Sequence, residues 1–138
     1  AGYFFNKPKV TRFFAWMGLV GAVIAFVFPD PSDFMWPHLT NLTFVSTHCF
    51  IAMGSIMVIA RNDVKLCVID ACVMTVVMNA FLVIVNAMLG SNYGYLTELP
   101  PGIPLQLNKY MLFVLLTAVI SGGEPLLDRA YAAIKMHD

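Results

Sequence analysis

Long apolar runs separated by short polar stretches organise this chain. Phe13 to Pro29 carries no charge, and Leu42 to Ala60 carries none apart from the imidazole of His48. Cys67 to Leu89 contains one charge, Asp70. Tyr110 to Gly123 is uncharged and extends back towards Ile103 if Lys109 reaches outward from a membrane boundary. A helix of about 20 residues crosses a hydrocarbon core roughly 30 Å thick. The pattern predicts an all-α fold, a polytopic transmembrane helical bundle with four spans at about 11–29, 42–60, 67–89 and 104–123. The ending, 124–138, reads as a short amphipathic helix. Pro125 suits its first turn, and Leu127, Tyr131 and Ile134 share a face that can lie along the cytoplasmic interface.

Composition agrees with this division. The chain is 59% hydrophobic and 12% charged, about half the charge of an ordinary soluble domain. Its formal charge of zero argues against a nucleic-acid partner. The eight basic residues then orient the spans. Lys7, Lys9 and Arg12 precede the first, Arg61 and Lys65 lie between the second and third, and Arg129 and Lys135 follow the fourth. Lys109 alone falls on the other face. By the positive-inside rule, the N- and C-termini are expected to be cytoplasmic.

Polar residues inside the spans are the candidates for function, because such groups are costly in lipid. His48 follows Ser46 and Thr47 in the second span. It can steady the bundle through a hydrogen bond, or act as a general base near neutral pH. In the third span Cys72, Asn79 and Asn86 recur every seven residues, which places them on one face turned towards protein or water. That asparagine stripe suits interhelical hydrogen bonding and can also line a polar interior. The stretch "GSNYGYLTELPPGIP" (90–104), with Asn92 and Tyr93, reads as a rigid hairpin or as an outer cap over that interior. Cys49, Cys67 and Cys72 are expected as buried thiols, and neither a metal site nor a cofactor motif is present.

The motifs "FPDPSDFMWPHL", "STHCF" and "NAMLGSNYGYL" resemble the YwaF-like integral membrane proteins of bacteria. Those proteins generally have about six spanning helices, and this chain looks like the last four. The resemblance implies a bacterial cell membrane. It also brings in a distant animal relative, a transmembrane acyltransferase that moves fatty acyl chains between phospholipids with a membrane cysteine and a histidine. The position similar to that histidine is His48, while the matching cysteine would lie upstream of Ala1. The implied partner is membrane lipid, with Asn86 or amides near Asn92 as oxyanion donors. The alternative is a non-catalytic helical subunit, or a lipid- or solute-binding module, of a larger membrane assembly. The oligomeric state is left open.

Overall fold

The computed structural model describes residues 7–28, 38–99, 103, 105 and 107–135. Among them it contains four long helices and no strand. They are α1 (Pro8–Val27), α2 (Leu39–Arg61), α3 (Val68–Leu89) and α4 (Lys109–Lys135), with a one-turn 3₁₀ segment at Tyr93–Tyr95 between the last two. Each of the four is long and apolar enough to cross a membrane.

Local chemistry sets the helix ends. Pro8 opens α1, where its missing N–H costs nothing and its fixed φ suits the first turn. His38 caps α2, its Nδ1 accepting the Thr40 N–H at 3.3 Å. The Cys67 sulfur caps α3 by accepting the Asp70 N–H at 3.4 Å, and its thiol donates to the Asp70 carboxylate at 2.9 Å. Asp70 thereby places a negative charge in the first turn, where the helix dipole favours it. Gly90 ends α3 at φ +62°, a left-handed conformation that glycine adopts without strain. Asn108 starts α4, its side-chain oxygen accepting the Tyr110 and Met111 N–H groups.

The helix α4 runs unbroken through Pro125 to Lys135. One element therefore holds both the run read as the fourth span and the segment read as a separate interfacial helix. Pro125 removes one backbone hydrogen bond from the helix interior, yet the ring is buried and the helix continues past it.

The chain divides into two compact units, Ala1–Val64 and Lys65–Asp138. The first is the α1–α2 hairpin. Phe13, Ala15, Trp16 and Ala22 on α1 are buried, as are Ser55 and Ile59 on α2. Gly18 lets the backbones approach closely: a Cβ there would sit 2.6 Å from the Ser55 hydroxyl oxygen. The basic end of this hairpin is tied by Arg12. Its guanidinium donates to the Ile59 carbonyl at 2.6 Å and to the Asn62 carbonyl, where the C-terminus of α2 favours a cation. Asn62 returns the link by donating to the Pro8 carbonyl at 2.8 Å. Arg12 is therefore a buried structural residue as well as a topological charge.

The second unit is the α3–α4 hairpin. Ala71, Thr75, Asn79 and Asn86 form the buried face of α3, and Leu112, Ser121, Glu124 and Asp128 are buried on α4. Asp128 accepts the Leu66 N–H at 2.9 Å and so ties α4 to the entrance of α3. Most of the remaining apolar surface points outward, with Ile69 75% and Met88 79% exposed. Soluble monomers do not leave such extended apolar faces in water, so these are the lipid-facing surfaces of an integral membrane protein. The three cysteines are free thiols and lie exposed on the chain's surface, in contrast to the burial expected from sequence. Exposure to lipid satisfies a weakly polar thiol as well as a protein core does.

Candidate functional site

His48 lies nine residues into α2, about 13 Å along the helix from Leu39, which is well inside a bilayer. Its ring is half-buried. Nδ1 is 2.8 Å from the Phe44 carbonyl one turn back. A carbonyl oxygen only accepts, so Nδ1 carries the proton. In the neutral ring, Nε2 is then the acceptor, and it has no hydrogen-bond partner among the described residues. Two aromatic rings hold the imidazole in place. Phe44 lies 4.3 Å away between centroids, tilted by 45°, and Phe26 on α1 lies 6.0 Å away, edge-on at 68°. The arrangement is a ring with a fixed tautomer, apolar walls and one open lone pair. Thr47, beside it on α2, faces outward and is exposed.

The other polar candidates belong to the second hairpin. Asn79 is buried and donates to the Thr117 hydroxyl at 2.9 Å, a direct α3–α4 link inside the span. Asn86 is also buried and brackets the turn that follows α3. Its Oδ1 accepts the Tyr93 N–H at 2.8 Å and the Ser91 hydroxyl at 3.0 Å, while its Nδ2 donates to the Tyr93 carbonyl at 3.0 Å. Asn92 performs the same task one step on. Its oxygen accepts the Thr97 and Glu98 N–H groups, and its nitrogen donates to the Glu98 carbonyl at 2.8 Å. Tyr93 keeps its backbone in this network and leaves its ring exposed.

The structure thus brings Asn86, Asn92 and Tyr93 into one rigid turn, with Asn79 two helical turns below Asn86 on the same helix. His48 and Thr47 stand on the first hairpin. The amides proposed as oxyanion donors are engaged in holding the loop, which leaves them little freedom to follow a developing charge.

An open cleft of about 700 Å³ lies beneath this turn, between α3 and α4. Val83, Ala87, Leu96 and Phe113 give it an apolar lining, with Asn86 also in its wall and Lys109 contributing a cation. Its size and chemistry suit an acyl chain. Among the described residues, no group of three His, Cys, Asp or Glu side chains is placed to hold a metal ion.

The burial of three ionisable residues, Arg12, Glu124 and Asp128, was not expected from the sequence. For Arg12 and Asp128 no local signal exists, since their partners lie 47 and 62 residues away in the chain.

Four apolar helices with lipid-facing surfaces define a polytopic α-helical integral membrane protein. The chain belongs to the TMEM164 family, whose model matches residues 2–122. No curated protein and no solved structure matches it.

Proposed function

We propose that this protein acts on membrane lipid by acyl transfer, with His48 as the group that takes up and returns the proton. The observation that carries the reading is the fixed tautomer of His48. The Phe44 carbonyl holds the Nδ1 proton and leaves the Nε2 lone pair unpartnered among the described residues. A merely structural imidazole in lipid would be expected to use both nitrogens on neighbouring helices. The resemblance to YwaF-like proteins of the bacterial cell membrane, and through them to a phospholipid acyltransferase, supplies the chemical class. The excess of basic residues at one end of the spans supports cytoplasmic termini.

The reaction follows from an open base and a thiol. Nε2 accepts the proton of a cysteine thiol, and the thiolate attacks the ester carbon of a phospholipid. The C–O bond breaks, the protonated imidazole gives its proton to the leaving lysolipid oxygen, and a thioester remains. A second lysolipid hydroxyl gives its proton to Nε2 and attacks the thioester; the C–S bond breaks, and the imidazolium returns the proton to the departing thiolate. Cys49 does not serve, because adjacent helical residues point about 100° apart. The thiol is assigned to a helix outside these residues, as the family resemblance implies. Lipid enters sideways from the bilayer, which needs no soluble domain.

The test is transfer of a labelled acyl chain between phospholipid and lysolipid in proteoliposomes. His48→Ala is expected to abolish transfer while the protein remains inserted and helical. Unchanged transfer by that variant would end the proposal.

A second reading has its own observation. Asn79, Asn86 and Asn92 all direct their amides into bonds within the second hairpin, as they would in a non-catalytic subunit of a larger membrane assembly. Constant co-purification with other membrane proteins, with no transfer by any preparation, would favour it.

A further inference from the structure

The basic end of the first hairpin carries a second opening, unrelated to His48. A cleft of about 500 Å³ lies between the start of α1 and the last two turns of α2. Its apolar part is formed by Pro8, Gly54, Met57 and Val58, and its rim holds Arg61 and Asp63. Gly54 is open to it, since a Cβ built there meets nothing within 4 Å. From Gly54 to Arg61 the helix rises about 10 Å, so the apolar part descends from the rim into the hydrocarbon.

The charges at this end differ in how they are used. Arg12 is buried and bonded to the end of α2. Arg61 is exposed, and its guanidinium has no hydrogen bond or ion pair among the described residues. The α2 dipole favours a cation in the last turn, which accounts for an arginine there but leaves all its donors open. Guanidinium matches phosphate in geometry and charge.

We propose that this cleft binds an anionic glycerophospholipid, with its phosphate on Arg61 and an acyl chain lying over Gly54, Met57 and Val58. Phosphatidylglycerol has that chemistry. The site is independent of the acyl-transfer reading, since none of its residues belongs to the His48 environment.

The experiment measures retained lipid. The full chain is purified from mixed micelles holding equal phosphatidylglycerol and phosphatidylcholine, and the two are quantified after gel filtration. The wild type is expected to retain phosphatidylglycerol about five-fold over phosphatidylcholine, the factor one basic residue contributes at an anionic surface. Arg61→Gln is expected to remove the preference. Gly54→Leu, whose Cβ meets nothing within 4 Å and whose side chain occupies the cleft, is expected to lower retention of both lipids. Lys7→Gln, an exposed cation at the same end outside the cleft, is expected to change nothing. Equal retention of the two lipids by the wild type would overturn the proposal. So would loss of preference in Lys7→Gln equal to that in Arg61→Gln, because a diffuse surface charge would then explain the binding. If Arg61→Gln fails to fold, Gly54→Leu decides alone: unchanged retention contradicts the site.

Discussion

The Asn86 side chain grips residue Tyr93 on both sides of its backbone, accepting its N–H at 2.8 Å and donating to its carbonyl at 3.0 Å. One buried amide thereby fixes the turn that follows α3, together with the left-handed Gly90. Asn86→Ala breaks both bonds, and that with Ser91, in a buried place. It is expected to cost about 1–3 kcal/mol, read as a lower Tm in detergent. Asn86→Asp keeps the acceptor but sets a carboxylate oxygen against the Tyr93 carbonyl, and should not recover the loss. An unchanged Tm in both variants would show that the turn does not depend on Asn86.

Gly18 and Ser55 mark the close approach of α1 and α2. The Gly18 Cβ position lies 2.6 Å from the Ser55 oxygen and 3.2 Å from an Ile51 methyl. Gly18→Ala should therefore destabilise the hairpin by about 1–3 kcal/mol, although alanine is the better helix former. Gly21→Ala, with nothing within 4 Å, should be neutral or stabilising by up to about 1 kcal/mol. Adding Ser55→Ala to Gly18→Ala should recover most of the loss. Equal effects at the two glycines would contradict the packing described.

The spans were legible in the sequence because hydropathy and length are local properties, and lipid imposes them on every turn. The α3 face was legible in part. Asn79 and Asn86 are buried, as a seven-residue stripe predicts, but Cys72 is exposed. Seven residues of a straight helix fall about 20° short of two full turns. Ala71 and Thr75, the other buried residues of α3, lie on the Asn86 side of that stripe, so Cys72 at its opposite edge falls outside the buried face. The roles of Asn86 and Asn92 as loop anchors were not legible, since an amide near a turn satisfies either a loop or a cavity equally well. Arg12 was legible only as a topological charge and Asp128 not at all, because their partners lie 47 and 62 residues away in the chain.

Glu124 is a buried exception to the rule that polar groups in such a fold are paired. It is 3% exposed, and neither carboxylate oxygen has a hydrogen-bond partner among the described residues. Burying an uncompensated carboxyl is unfavourable. Glu124→Met, similar in volume and apolar, is expected to stabilise the protein by about 1–3 kcal/mol, seen as a raised Tm. A lowered Tm would mean that the carboxyl is satisfied by a group outside the described residues.

The proposed chemistry depends on an open Nε2 lone pair on His48 inside the membrane. Nitrogen NMR of protein labelled with ¹⁵N at histidine, reconstituted in lipid near neutral pH, reads the tautomer directly. His48→Gln identifies the signals. A protonated Nδ1 and an unprotonated Nε2 are expected. A proton on Nε2 with a bare Nδ1 would contradict the bond to Phe44 and remove the base on which the proposed chemistry rests.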